Sequence, residues 1–254
     1  MSTEDGLDRA HATALQRWQA PFPDFASGHD RRTSDAGLLE LFYGGLLHAA
    51  AHDWLNAGRR LIDKTYVDML WHVQRLTRMR ACGAEQIAAA LDDFIRGEVA
   101  LRWTTLGQLT ADDRAALARA WVEHLATHGF GSMHSEAAAS RLLFYLCPTL
   151  PVFNLSSGHL LALQQLGHPT PSQRYGDYAA HAAAAYRERL PALLDRATPV
   201  STDGDAARQV LAETDWWPRR LFDQLLREQV REGDATLFAC DDAGQLVVGR
   251  RPPR

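Results

Sequence analysis

The chain has 254 residues, of which 46% are hydrophobic and 23% are charged, with 18 glycines and 11 prolines. This is the composition of an ordinary globular protein, and it excludes collagen-like, low-complexity and intrinsically disordered classes. The formal net charge of −4 at pH 7 argues against binding of nucleic acid or anionic lipid by bulk charge, but it allows a local basic surface.

Three further features of the sequence predict the cellular location of the protein. The N-terminal sequence is acidic and lacks the basic and then apolar order of an export signal. Charged residues interrupt every apolar run before the roughly 20 residues that span a bilayer. Cys82, Cys147 and Cys240 are widely spaced and fit neither a disulfide framework nor a zinc knuckle. We therefore expect a cytoplasmic protein outside the membrane, with reduced and buried thiols.

The N-terminal part of the chain predicts an arm followed by a helix. Residues 1–35 are polar and rich in turn formers, and they predict a short helix over about 7–18 and then an extended segment. From Ser34, which can cap a helix, apolar residues recur at helical spacing. Gly44 and Gly45 in the middle of this helix would either let another backbone approach closely or break it.

Apolar periodicity and end signals predict most of the remaining chain to be helical. The predicted helices cover residues 63–80, 84–95, 110–128, 136–146, 159–166, 175–194, 205–213 and 217–231. Thr110 is the predicted N-cap of the helix that ends at Gly129. Near the C-terminus, two short β-rich runs flank the turn 241–244 and predict a hairpin.

These elements predict an all-α fold, a helical bundle with a short C-terminal β-hairpin. The predicted organisation is an arm over 1–35, a helical body over 36–232, and a hairpin with a tail over 233–254. A subdivision of the body near 97–109 and one continuous body are both open at this point.

The segment from His128 to Ser135 is the most informative stretch. A predicted helix ends at Gly129-Phe-Gly131, and a second helix begins a few residues later on small side chains. In a helix-hairpin-helix, such glycines let the backbone approach a phosphate, and amides at the next helix N-terminus point at it. The alternative is a tight turn in a helical bundle.

The segments that follow have a recognisable order. They are Pro148-Thr-Leu-Pro-Val-Phe-Asn154, Ser156-Ser157-Gly158 before a helix at His159, a helix with Tyr175 and Tyr178, and Trp216-Trp-Pro-Arg-Arg-Leu-Phe-Asp223. Over about residues 110–230 this order resembles the helix-hairpin-helix DNA glycosylase superfamily, particularly bacterial proteins similar to oxidised-guanine DNA glycosylases. The resemblance implies an all-α, glycosylase-like bundle with a DNA-facing hairpin and a cleft for an extruded base.

Two departures from the family pattern concern catalysis. Asn154 occupies the position where the resemblance implies a catalytic aspartate, and an amide supplies neither a full negative charge nor a proton acceptor. Ser132 and Met133 stand where bifunctional members carry a Schiff-base lysine. The usual N-glycosidic hydrolysis is therefore expected to be lost, unless acids are recruited from elsewhere. The candidates for recruitment are Asp53, Asp63 and Asp68.

A basic segment lies between residues 59 and 80. Its positive residues are Arg59, Arg60, Lys64, Arg75, Arg78 and Arg80, against two acids, Asp63 and Asp68. This local excess of positive charge is a candidate phosphate-contacting surface. The alternative is a solvated helix surface with charge pairs at i,i+4 spacing, such as Lys64 with Asp68.

Two histidine pairs have helical i,i+4 spacing, namely His48 with His52 and His124 with His128. On a helix this spacing places both imidazoles on one face within reach of a metal ion. Such residues are more often single surface or hydrogen-bonded side chains, so we expect neither a metal nor another cofactor.

The sequence thus favours a nucleic-acid-binding helix-hairpin-helix protein that resembles DNA base-excision glycosylases but lacks their usual catalytic Asp and Lys. The predicted DNA contacts are Gly129, Gly131, Ser132, Arg59, Arg60, Lys64, Arg75 and Arg78. The alternative is a helical protein–protein interaction or adaptor protein with no nucleic-acid role.

Overall fold

The computed structural model describes residues 3–19, 34–57, 60–64, 67, 83–130, 134–168, 174–197, 200, 202, 204–232, 236–240 and 246–250. Most of this part of the chain is helical, which confirms the all-α expectation. Within these ranges, no helix combines the length and the hydropathy that crossing a bilayer requires.

The elements follow one another in a simple order. The α-helices are α1 (Thr3–Trp18), α2 (Asp35–Leu39), α3 (Gly45–Ala51), α4 (Ala84–Phe94), α5 (Ala100–Arg102), α6 (Ala111–His128), α7 (Glu136–Leu146), α8 (Ser157–Gln165), α9 (Tyr175–Asp195), α10 (Asp205–Glu213) and α11 (Trp216–Glu232). Two π-helical turns, Glu40–Gly44 and Ile95–Val99, join α2 to α3 and α4 to α5, and a 3-10 turn, Leu106–Gln108, precedes α6. The strands β1 (Thr236–Cys240) and β2 (Leu246–Arg250) pair antiparallel, with Thr236 opposite Arg250.

The helix ends show how the sequence defines these boundaries. Ser34 Oγ accepts a hydrogen bond from Gly37 N at 3.1 Å, and Thr110 Oγ1 accepts one from Asp113 N at 3.1 Å. Both predicted N-caps are therefore confirmed. The chain passes through Gly44 as a π-helical turn without a break. The predicted helix over 63–80 falls mostly outside the described residues, as does the predicted turn 241–244.

The chain forms two compact units, each built from separate segments. One unit contains Met1–Ala14, Phe153–Thr198 and Trp217–Arg254, and the other contains Leu15–Val152 and Pro199–Trp216. The predicted arm over 1–35, body over 36–232 and hairpin with a tail over 233–254 stay predictions. Apolar periodicity could not reveal this division, because it depends on contacts between segments that are far apart in sequence.

In the Leu15–Val152 unit, Trp216 is fully buried among aromatic rings. Its ring centre lies 6.0 Å from that of Trp18, 5.1 Å from that of Phe144 and 5.8 Å from that of Tyr145. Its indole Nε1 donates to the Phe144 carbonyl at 2.8 Å. The Tyr145 hydroxyl donates to Asp35 Oδ1 at 2.8 Å, so this aromatic core also holds the start of α2.

In the Phe153–Thr198 unit, three aromatic rings from three segments meet. Phe153, Tyr186 and Phe222 lie with ring centres 5.7 to 6.1 Å apart, and all three are buried. Phe153 lies outside the helices, and its backbone N–H donates a hydrogen bond to the Tyr175 hydroxyl at 3.1 Å. This packing fixes the position of the next residue, Asn154, against α9 and α11.

The described cysteine side chain behaves as predicted. Cys147 is a free, buried thiol, and burial raises its pKa far above the ordinary value. Cys82 and the side chain of Cys240 lie outside the described part of the chain.

Candidate functional site

The helices α6 and α7 pack against each other as a helical hairpin joined by residues 129–135, here called the α6–α7 connection. Gly129 is buried at the end of α6, and its N–H donates to the Leu125 carbonyl at 2.8 Å. A Cβ at Gly129 would lie 2.8 Å from that same oxygen. A side chain at this position would therefore disturb the end of α6, and the Gly129 amide is engaged within the helix. Contact of Gly129 with nucleic acid stays a prediction.

The rest of the α6–α7 connection is anchored at both sides. Phe130 is only 1% exposed and packs into the core. Ser135 N donates to the Ala126 carbonyl at 3.2 Å, and Ser135 Oγ caps α7 by accepting from Ala138 N at 3.3 Å. Gly131 and Ser132, the other predicted contacts, lie outside the described residues.

The basic segment is described only in part. Arg60 Nε donates to the Ile62 carbonyl at 2.9 Å, and its guanidinium pairs with Glu85 Oε2 at 2.9 Å. Because this pair is about half exposed, it offsets part of the positive charge without burying it. Lys64 is exposed. The other predicted contacts, Arg59, Arg75 and Arg78, fall outside the described residues.

Asn154 lies at the centre of a buried polar cluster. Its side-chain Nδ2 donates to Asp223 Oδ1 at 2.9 Å. Its backbone carbonyl accepts from the Tyr178 hydroxyl at 2.6 Å and from His159 Nδ1. The reverse orientation of the amide would set two oxygens against each other, so the nitrogen must face Asp223. We call Asn154, His159, Tyr178, Arg220, Asp223 and Arg227 the Asn154 cluster.

Asp223 carries the negative charge of this cluster. Its Oδ2 lies 2.8 Å from Arg220 Nη1 and 3.0 Å from Arg227 Nε, and its Oδ1 lies 3.5 Å from His159 Nε2. Burial by itself raises the pKa of Asp223, but Arg227, His159, Arg220 and the Asn154 hydrogen bond together hold that pKa well below its ordinary value. The carboxylate is thus charged and surrounded by donors.

His159 and Tyr178 both contact Asn154. His159 Nδ1 contacts the Asn154 carbonyl, and its Nε2 lies 3.5 Å from Asp223 Oδ1, so the ring lies between the two residues. Burial, and next the charge of Asp223, raise the pKa of Tyr178 well above 10. Its neutral hydroxyl therefore donates to Asn154 O.

The cluster holds Asn154 in place but does not supply a free acid there. Among the described residues, the carboxylate that contacts Asn154 belongs to Asp223, not to Asp53 or Asp63, and Asp68 lies outside the described part. Sequence reasoning missed Asp223. The available signal was its spacing from Arg220 and Arg227, at i,i+3 and i,i+4 on helix α11.

Neither a search for metal-binding groups nor comparison with known proteins identifies a function for these residues. In the part of the chain that the structure describes, no group of three or more His, Cys, Asp or Glu side chains could hold a metal ion. Comparison with protein-family models, with curated proteins and with solved structures found no match.

Proposed function

We propose that this protein binds nucleic acid through the tip of the α6–α7 connection and does not remove bases. The observation that carries the proposal is the packed α6–α7 hairpin, in which Gly129 closes one helix and Ser135 caps the next. The order of segments that resembles the DNA glycosylase superfamily supports the choice of nucleic acid as ligand.

The geometry of the hairpin suits a backbone contact with phosphate. The N–H groups of Gly129 and Ser135 donate to carbonyls of α6, and Phe130 is buried, so the two described ends of the connection are held in place. At the N-terminus of α7 the helix dipole favours negative charge. Exposed His134 lies within the connection and adds a donor for a phosphate oxygen.

The Asn154 cluster supports binding without base removal. A glycosylase-like reaction needs a negative charge or a proton acceptor beside the sugar. Asn154 offers an amide whose nitrogen is committed to Asp223, and the Asp223 carboxylate is neutralised by Arg220 and Arg227. We therefore infer a nucleic-acid-binding protein whose segments follow a glycosylase-like order.

The direct test is electrophoretic retardation of a short DNA duplex at low salt with Gly131→Asp, which places a negative charge in the connection. The matched control is Gly107→Asp, because Gly107 is exposed and a Cβ there meets nothing within 4 Å. We expect Gly131→Asp to weaken binding severalfold and Gly107→Asp to leave it unchanged. If both variants bind the duplex as tightly as the unaltered protein, the proposal is wrong.

A second variant tests the basic segment. Arg75→Glu reverses one predicted phosphate contact, and we expect weaker retardation together with a shallower salt dependence. Arg60→Glu is the informative comparison, because Arg60 already pairs with Glu85.

Salt distinguishes this function from the alternative adaptor role. Affinity that rests on several phosphate contacts falls by roughly tenfold or more between about 50 and 200 mM salt. An interface with a protein partner that rests on apolar contacts changes little over the same range. A salt-insensitive interaction that Gly131→Asp does not alter would favour the adaptor.

A further inference from the structure

The last turns of α6 bring two imidazole rings together on one face. His124 and His128 are four residues apart, and their ring centres lie 5.0 Å apart at an interplanar angle of 58°. His128 is exposed and His124 is partly buried, so water and ions reach the pair. Their positions outside both the Asn154 cluster and the α6–α7 connection leave them with no role in the proposed function.

The separation of the rings fits shared coordination of one metal ion. Imidazole nitrogens bind zinc or copper at about 2.0–2.1 Å, which places each ring centre about 3.2 Å from the metal. At bond angles of about 90–109°, the two ring centres are then about 4.5–5.2 Å apart. The observed 5.0 Å lies within this range.

The surroundings of the pair favour a cation. The His124 ring contacts the Phe94 ring of α4, with ring centres 5.6 Å apart and the planes tilted by 38°, and this contact limits the rotation of the His124 side chain. His128 lies in the final turn of α6, where the helix dipole stabilises positive charge. Held four residues apart on a rigid helix, the second imidazole acts at a high effective concentration once the first has bound.

The other i,i+4 pair provides an internal comparison. The rings of His48 and His52 lie 4.2 Å apart, closer than shared coordination allows, and both rings contact Trp54. His52 Nδ1 is also within 2.9 Å of the His48 carbonyl. To chelate a metal, these two rings would have to leave the contacts with Trp54.

We propose that His124 and His128 form a two-histidine binding site for a late first-row divalent cation such as Cu²⁺, Ni²⁺ or Zn²⁺. Imidazole is a preferred ligand for these ions, and Cu²⁺ is expected to bind most tightly. The described residues add no third protein ligand, so the remaining coordination positions are open to water or to a ligand from solution.

The experiment is titration of the untagged, full-length protein with Cu²⁺ alone, followed by calorimetry and by electron paramagnetic resonance. We expect a tight first site whose spectrum shows nitrogen coordination. His128→Ala should weaken that site by roughly tenfold or more, because one ligand of the chelate is lost. His52→Ala, the matched control in the other pair, should leave the first site unchanged.

Three outcomes decide the matter. Selective weakening by His128→Ala and by His124→Ala supports the site. An unchanged first site in His128→Ala overturns it, as does loss of the first site in His52→Ala. Since His128 is exposed, the variant is expected to keep the fold, which circular dichroism checks. DNA retardation without added metal tests the proposed function separately.

Discussion

Asn154 and Asp223 form a buried donor–acceptor pair, with Asn154 Nδ2 donating to Asp223 Oδ1 at 2.9 Å. The pair links the segment after Phe153 to α11, and each side chain is only 5% exposed. An amide at position 154 is the residue that this carboxylate requires, because it presents a donor where an acid would present a second negative charge. Asn154 and Asp223 are therefore matched in hydrogen-bonding capacity and in charge.

Replacing Asn154 by aspartate should destabilise the protein without creating an active site. Two buried carboxylates in contact cannot both remain ionised, so one of them is expected to have a raised pKa. We expect the free energy of unfolding at pH 7 to fall by about 2–4 kcal/mol. Urea unfolding measures this loss, and an assay for abasic sites in a duplex with oxidised guanine should show no base removal by Asn154→Asp.

The exchanged double variant Asn154→Asp/Asp223→Asn is the control for this prediction. It restores one amide and one carboxylate to the contact, so part of the stability should return relative to the two single variants. If Asn154→Asp is as stable as the unaltered protein, or gains base removal, our interpretation of the pair is wrong.

The pH dependence of stability should reveal Asp223. Burial opposes its charge, but Arg227, His159, Arg220 and the Asn154 hydrogen bond hold its folded-state pKa below the ordinary value of 3.8. Since the unfolded chain then binds this proton more readily, Asp223 stabilises the fold above that value, and the contribution is lost as the pH falls.

Asp223→Asn isolates this effect while keeping the size of the side chain. We expect a loss of about 3 kcal/mol at pH 7, because Arg220 and Arg227 lose their buried partner. Below about pH 4 the difference from the unaltered protein should shrink, because the unfolded chain then takes up the proton that the folded Asp223 carboxylate does not bind. Unfolding curves at pH 7, 5, 4 and 3 measure it, and a difference that stays constant with pH would contradict the assignment.

Local signals in the sequence predicted most of the helices. Ser34 and Thr110 mark the starts of α2 and α6 through their side-chain oxygens, and these contacts reach only three residues along the chain. Gly44 shows the limit of such signals. A Cβ there would lie 3.2 Å from Ala206 Cβ of α10, whereas one on Gly45 meets nothing within 4 Å. The sequence pointed to a close approach but could not tell which glycine permits it.

The candidate site depended on contacts that sequence spacing does not encode. Asn154 was identified by its position in the chain, but its partner Asp223 lies 69 residues further on. Gly129 was identified as a turn residue, and only the structure shows that its amide is used by Leu125. Pairing across long sequence distances, and competition for a single N–H, are both properties of the folded chain.

Gly129→Ala should be destabilising for reasons that are independent of any ligand. Its Cβ would lie 2.8 Å from the Leu125 carbonyl, which is also the acceptor of the Gly129 amide. We expect a loss of more than about 1 kcal/mol in the free energy of unfolding. Gly107→Ala, with open space around the added methyl group, is the comparison and should change stability by about 0.5 kcal/mol or less. Similar costs for both variants would show that the end of α6 adjusts freely.

The N-terminus of α10 should depend on a carboxylate from a distant part of the sequence. Glu40 Oε1 accepts from Ala207 N at 2.7 Å, so a side chain from the π-helical turn caps α10. A Cβ on Gly204 would overlap the Glu40 side chain. Glu40→Ala should therefore cost about 0.5–2 kcal/mol through the lost cap. Gly204→Ala should cost a similar amount by displacing that carboxylate.

The two substitutions should not be additive, because both act on the same hydrogen bond. In the Glu40→Ala background, Gly204→Ala no longer meets a side chain, so its cost should fall by about 1 kcal/mol. A double-mutant cycle from urea unfolding measures this coupling. Gly45→Ala serves as the control, since this exposed helical glycine has no neighbour for the added methyl group and should gain stability from a better helix former. Strict additivity of Glu40→Ala and Gly204→Ala would show that they do not act on the same hydrogen bond.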